Sequence, residues 1–368
     1  MGISLNALII TGPTASGKTQ LSEMIAEKHS CEIINADVGQ FYKPLSVGTA
    51  KPDLANIPYK HHLFDLLDKP EDLSVVKYRA LVADLVKDIC SRGKIPVIVG
   101  GSLFYIKSLF FPPIEFSTHE LPTHEFSTQK NLDSKVYDSQ VYDSQVLDLQ
   151  VVDLEVLNNP GQINIDSLSK SQQWDLLQKI DPERAAILHP NDNYRIVRAL
   201  EIWANTGVKP SMYKPIFDPA FNALIVYVEP DVSTLKERIC LRTSLMIKPD
   251  DSNKLGWIEE AQGLIGTGWE EFLKTKNLIG YTEIFDWIKT GKNKSELPEL
   301  ISKIQTKTAQ YAKRQRTFWK SFQLSVPERK ILQASSKSDF LIQTISVGLP
   351  DSKILSQILE TWDKFSNR

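Results

Sequence analysis

The segment Gly12-Pro-Thr-Ala-Ser-Gly-Lys-Thr19 constrains this chain more than any other. It fits the pattern G-x4-G-K-[ST], follows an apolar run over residues 5–11, and precedes a stretch whose spacing predicts a helix over 18–29. A buried strand feeding a glycine-rich turn and then a helix is a phosphate-cradling P-loop. Its backbone N–H groups converge on anionic oxygens at a helix N-terminus, where the dipole favours negative charge. Gly12, Pro13, Thr14, Ala15, Ser16, Gly17, Lys18 and Thr19 are therefore all candidate diphosphate contacts. Lys18 would add a point charge to the terminal phosphate, and the Thr19 hydroxyl suits Mg²⁺. The loop does not say whether the phosphate belongs to a nucleoside triphosphate or to another diphosphate.

Around this loop the sequence alternates strands and helices. Residues 31–35 and 95–99 read as apolar strands, 223–228 as a strand returning to the sheet, and 75–92 as a helix. The fold class is therefore α/β: a P-loop NTPase-like parallel sheet flanked by helices, joined to a mostly helical insertion. Ligands in such sheets bind at the carboxyl ends of the strands. Three strand ends carry polar or glycine-rich turns, at 12–19, 37–42 and 100–105. Asp37 closes the second strand, where it suits a metal-holding carboxylate, a general base, or a cap for the next turn. Helical spacing is predicted over 169–180, 193–206, 231–246, 257–268 and 298–322. The domain reading is a P-loop core over 1–112, an insertion over 113–180, a mostly helical remainder over 181–325, and a tail over 326–368 without identifiable chemistry.

Composition narrows the class further. Three widely spaced cysteines, Cys31, Cys90 and Cys240, argue against a disulfide framework or zinc site and for a reducing compartment. No apolar run approaches the roughly 18 residues of a membrane span, so the expectation is a cytoplasmic protein. The net charge of −2 hides an asymmetry. Between Glu115 and Glu155 acidic residues dominate, whereas Lys303 to Lys330 holds Lys and Arg against Glu328 alone, a candidate footprint for a phosphate backbone. Residues 116–128 nearly duplicate themselves, and a period-five repeat follows from Val136. That period fits neither strand nor helix and reads as a mobile insertion.

In order along the chain, the motifs resemble the tRNA dimethylallyltransferase family, bacterial type. They are the P-loop, Ile34-Asn-Ala-Asp37, Val47-Gly-Thr-Ala-Lys-Pro52, His61-His-Leu-Phe-Asp65, Pro96-Val-Ile-Val-Gly-Gly-Ser102 and Tyr105-Ile-Lys107. His189-Pro-Asn-Asp192, Arg195, Arg198, Thr206-Gly207, Ile279-Gly-Tyr281 and Tyr311-Ala-Lys-Arg-Gln315 complete the series. The resemblance runs from about residue 5 to 320, broken across the repeat. It implies transfer of a dimethylallyl group from dimethylallyl diphosphate to N6 of adenosine 37, beside the anticodon, in tRNAs reading codons that begin with U. It implies Asp37 as the base, with Thr19 and Ser102 as further catalytic residues, Thr19 as the Mg²⁺ contact, and Arg195 and Arg242 beside the P-loop on the diphosphate. It implies tRNA contacts at Gln40, Tyr42, Lys51, Tyr105, Arg198, Tyr281, Lys313, Arg314 and Gln315. The implied protein acts on the tRNA anticodon stem-loop as a cytoplasmic monomer, with the target adenine flipped from its stack.

The chain departs from the family in places. Val38-Gly39-Gln40 stands where Ser-Met-Gln is usual, Gly100-Gly-Ser-Leu-Phe-Tyr105 where Gly-Gly-Thr-Gly-Leu-Tyr is usual, and Ala309 where an arginine is usual. These changes bear on efficiency. Two other enzyme readings share the P-loop and an Asp: an adenylate isopentenyltransferase acting on free AMP or ADP, and a P-loop nucleotide kinase. The basic stretch at 303–330 and the long helical region favour tRNA over a free nucleotide. A kinase should show an arginine-rich lid that the sequence lacks. A tRNA-binding protein without catalysis is disfavoured by Asp37, Lys18 and Thr19.

Overall fold

The computed structural model describes residues 5–112, 163–249, 255–291, 293–326 and 342–367. Both the period-five repeat and the acidic segment between Glu115 and Glu155 lie outside the described residues. The contact pattern divides the chain into a larger unit, Met1–Pro113 with Phe217–Arg368, and a smaller unit, Ile114–Ile216.

In the larger unit the described strands and helices run β1 (Asn6–Thr11), α1 (Lys18–Ala26), β2 (Cys31–Asn35), β3 (His61–His62), α2 (Val75–Ser91), β4 (Ile95–Gly100) and α3 (Leu103–Ser108). In the smaller unit α4 (Lys170–Ile180), α5 (Pro182–Ala186) and α6 (Asn193–Thr206) follow. The larger unit resumes with β5 (Asn222–Val228), α7 (Val232–Ile247), α8 (Trp257–Leu264), α9 (Gly268–Thr275), α10 (Tyr281–Lys289), α11 (Leu297–Ser325), β6 (Ile342–Val347) and α12 (Ser352–Ser366). The strands form one sheet in the order β3-β2-β4-β1-β5-β6, and every pairing is parallel.

Side-chain alternation along the central strands divides the core into two faces. Leu8 and Ile10 of β1, Val97 and Val99 of β4, and Leu224 and Val226 of β5 pack with Leu21 and Ile25 of α1 and with Leu355, Ile358, Trp362 and Phe365 of α12. Ala7, Ile9, Ile98, Ala223 and Ile225 face the other way, onto α2, α3 and the helices from α7 to α11. The smaller unit has its own core, where Ile196, Ala199, Leu200 and Trp203 of α6 meet Leu176, Leu177 and Ile180 of α4.

Three expectations change. The domain boundary at 180 moves to Ile216, because the buried stripe of α6 packs with α4 in one core of the smaller unit. The helix expected over 257–268 ends at Leu264 and restarts at Gly268, with Gly266 at φ 76° between them. The tail without assigned chemistry is structural: β6 pairs with β5 from Ala223↔Ile342 to Val228↔Val347, and α12 covers one face of the sheet. Its loop also reaches the P-loop, since a Cβ built at Gly17 would meet Pro350 Cδ at 2.9 Å. Among the described residues no helix is long and apolar enough to cross a membrane.

Candidate active site

The P-loop is built by close approach and by a left-handed turn. A Cβ at Gly12 would sit 2.4 Å from Val228 O, so only glycine lets β1 turn beside the end of β5. Gly17, at φ 99°, starts α1 in the left-handed region, and no side chain caps the helix there. The first N–H groups of α1 are thus left to an anion. Ser16 supports the same reading: its Oγ is buried and has no hydrogen-bond partner among the described residues, an orphan that a phosphate oxygen would satisfy. Lys18 Nζ donates to Gly12 O at 3.1 Å and Pro13 O at 2.8 Å, folded back over the loop that it would leave for a phosphate.

Two arginines of α7 clasp the loop from the other side. Arg238 Nε donates to Ala15 O at 2.8 Å, and Arg242 Nη2 donates to the Thr14 hydroxyl at 2.6 Å. They lie one helical turn apart and so present both guanidinium groups to one place. Burial lowers the pKa of Lys18 to about 8, opposed by the nearby Asp37 carboxylate and assisted by Arg242. Burial likewise lowers that of Arg242, opposed by Asp37 and assisted by Arg238. Lys18 and Arg242 therefore face one carboxylate, with Arg238 beside Arg242, and this excess of positive charge suits a polyanion such as a diphosphate.

Asp37 lies where the strand order predicts, at the tip of β2. Its Oδ1 accepts from Gly39 N at 3.3 Å and caps a 3-10 turn over Val38–Phe41. The capping role and the site role are thus held together. Burial raises its pKa, partly offset by Lys18, the Gly39 N–H and Arg242. Lys18, Thr19, Asp37 and Gln40 line one cleft, whose space is about 420 Å³ including the part open to solvent. Ser102, at the tip of β4, accepts from Val38 N at 3.0 Å, so it fixes the residue after Asp37. Asn35 fixes the residue before: its Oδ1 accepts from Asp37 N at 2.8 Å, and its Nδ2 donates to Asp37 O and Leu63 O. An Asn is unusual inside a strand, and that mismatch was the signal by which Asn35 could have been found.

Several expected tRNA contacts are turned inward. Gln315 is 5% exposed. Its Oε1 accepts from Thr14 N at 2.8 Å and its Nε2 donates to Gly101 O at 2.8 Å, tying the P-loop to the tip of β4. Tyr42 is buried edge-on against Trp269 and Phe272. Lys51 donates to Tyr42 O at 2.8 Å and pairs with Asp65. The Tyr105 hydroxyl donates to Leu73 O. Tyr281 is buried and donates to Glu260 Oε1 at 2.5 Å. Gln315, Lys51, Tyr105 and Tyr281 each partner a backbone or carboxylate group, and Tyr42 packs among rings, so these side chains hold the fold.

Glu260, which the motifs did not single out, explains the Val47–Pro52 segment. Its carboxylate accepts from Ser46 N at 2.7 Å, Val47 N at 2.6 Å and Gly48 N at 2.9 Å, docking that loop on α8. Gln40 then donates to Thr49 O at 3.1 Å, linking the loop to the cleft. Lys313 and Arg314 are exposed on α11. Arg195 and Arg198 lie on α6 of the smaller unit; Arg195, 64% exposed, pairs with Asp192 at 3.4 Å, and Arg198 pairs with Glu201 at 2.9 Å.

Fold and site together define a P-loop α/β protein in which a carboxylate at the tip of β2 faces the loop lysine. The chain belongs to the IPP transferase family, whose model matches residues 40–322. It is 32% identical over 321 residues to a protein named tRNA dimethylallyltransferase 1 from Citrifermentans bemidjiense, covering 86% of this chain and 89% of that one. It is 32% identical over 328 residues to the tRNA dimethylallyltransferase of a Thermoanaerobacter species, covering 87% and 90%. Among solved structures it resembles the full-length tRNA isopentenylpyrophosphate transferase of Bacillus halodurans, with TM-score 0.56, 25% identity, and 99% and 97% of the two chains covered. A eukaryotic dimethylallyltransferase acting on tRNA shares the fold at TM-score 0.68 and 23% identity, over 99% of this chain and 80% of that one.

Proposed function

We propose that this chain transfers a dimethylallyl group from dimethylallyl diphosphate to N6 of adenosine 37 in the anticodon stem-loop of tRNAs that read codons beginning with U. The observation that carries the reading is the Asp37 carboxylate in one cleft with Lys18 and Thr19, beside two arginines that clasp the P-loop. The exocyclic N6 amine forms a bond to the allylic carbon as the carbon–oxygen bond to diphosphate breaks. The electron pair leaves with the diphosphate, and the N6 proton goes to Asp37 Oδ. Asp37 thus acts as general base. The loop N–H groups, Lys18 and Arg242 hold the charge that develops on the leaving oxygen.

A divalent cation fits this site through the substrate more than through the protein. Among the described residues no group of three or more His, Cys, Asp and Glu side chains could hold a metal. The Thr19 hydroxyl, with diphosphate oxygens and water, is the donor set that Mg²⁺ accepts. When bound, Mg²⁺ would neutralise diphosphate charge. Gln40 at the cleft and the exposed Lys313 and Arg314 remain the tRNA contacts of this reading. A tRNA substrate and three free cysteines fit a cytoplasmic protein, and one copy carries the whole P-loop and base, so a monomer suffices.

The test is transfer of a labelled dimethylallyl group, with tRNA and AMP offered separately. Label is expected in tRNA, on adenosine 37, and not in AMP. Equal labelling of AMP would move the protein to the adenylate class, and phosphoryl transfer from ATP to AMP would make it a kinase.

A further inference from the structure

Phe104 is exposed in a place where the fold gives it no work. Its neighbours in α3, Leu103 and Ile106, are buried and anchor the helix, whereas the Phe104 ring is 61% exposed. Its ring meets Tyr105 edge-on with centroids 6.3 Å apart. Its position is informative. It stands three residues after Gly101, whose backbone N–H bonds Asp37, and two after Ser102, whose Oγ holds Val38 N. Gln315 brings α11 to the same strand tip through Gly101 O.

Cations are interleaved with aromatic rings on α3, α11 and the segment after α3. Lys107, one turn after Phe104, places Nζ 5.7 Å from the centroid of Phe111 and 6.0 Å from that of Phe318. Arg314, exposed on α11, holds its guanidinium 5.9 Å from the centre of the Tyr311 ring. An open ring beside cations already packed on aromatic faces is the arrangement that receives an unpaired base and its phosphate. We propose that Phe104 is a stacking platform for the unpaired base next to the adenosine that enters the Asp37 cleft, with Lys107 and Arg314 facing the adjoining phosphates. This rests on the RNA substrate proposed above. An adenosine delivered to Asp37 brings its neighbours with it, one nucleotide away.

Phe104→Ala removes an exposed ring and leaves the fold intact, so its effect can be read directly. With an anticodon stem-loop RNA as substrate, KM should rise about 5- to 100-fold, with the dissociation constant for dimethylallyl diphosphate unchanged. Phe104→Trp should keep KM near that of the unaltered protein. A second arm replaces each nucleotide flanking the target adenosine by an abasic one. The unaltered protein should lose affinity for one of the two, and Phe104→Ala should lose much less. Unchanged KM in Phe104→Ala, or an equal abasic penalty in both proteins, would overturn the stacking role while leaving the transferase reading in place. An unaltered protein that modifies no RNA would take both down together.

Discussion

Asp37→Asn is expected to slow dimethylallyl transfer by about 100- to 10,000-fold, the range that a positioned general base supplies, with the diphosphate bound at least as tightly as before. The two effects separate because of how the site is charged. The Asp37 carboxylate lies close to Lys18 and holds that ammonium in its charged form against burial. Removing the carboxylate removes its repulsion of the diphosphate, whose own charge then takes over as the counter-charge that keeps Lys18 protonated and faces Arg242. The amine to be alkylated loses its proton acceptor. Asparagine preserves the Oδ1 acceptor for Gly39 N, so the 3-10 turn after β2 keeps its cap. Single-turnover transfer and equilibrium binding of dimethylallyl diphosphate, measured on the same preparation, check the separation. Loss of both would show that Asp37 shapes the loop.

Lys18→Ala is expected to weaken both steps: diphosphate binding falls, and the rate falls by about 100- to 1,000-fold, as when one preorganised donor is taken from a developing oxyanion. The buried alternative partners of Lys18, Gly12 O and Pro13 O, lose a donor as well. Thermal unfolding monitored beside the kinetics separates a weakened cradle from a loosened fold. A Tm near that of the unaltered protein with the rate loss intact is the expected pair of readings. Lys18→Arg should not restore the rate, since a planar fork cannot occupy the space of a point charge under the loop.

Much of the α/β core was legible because its signals are local. The strand–loop–helix sequence around Gly12–Thr19 fixes β1 and α1. The apolar runs at 31–35, 95–99 and 223–228 lie in the structure within a residue of their expected ends. β6 was not legible for a physical reason: as an edge strand it is only partly buried, so Ile342–Val347 shows weak alternation. α12 was legible but unread. Leu355, Ile358, Trp362 and Phe365 recur at helical spacing and are all buried.

The site divides in the same way. Asp37, Thr19, Lys18 and Arg242 were named from the sequence and meet at the P-loop, because motif chemistry requires them there. Gln315, Tyr281, Lys51, Tyr42 and Tyr105 were named as RNA contacts, and the structure engages each of them in contacts within the protein. A polar side chain within a motif can equally serve a buried backbone group, and nothing in the sequence distinguishes a Gln facing RNA from one facing Thr14 N. Glu260 acts through contacts with residues more than 200 positions away, which local spacing cannot reveal.

The pH dependence of kcat/KM tests most directly whether Asp37 is the base. Asp37 works deprotonated, so the rate must rise with pH. Because burial raises its pKa, that rise should lie above the ordinary carboxylate range. Lys18 works protonated, so the rate should fall as pH passes about 8. The limbs belong to the interacting pair, and the deciding observation is the residual activity of Asp37→Asn. The account predicts that its acid limb is gone. An acid limb unchanged in that variant would assign the proton transfer to another group and contradict the account.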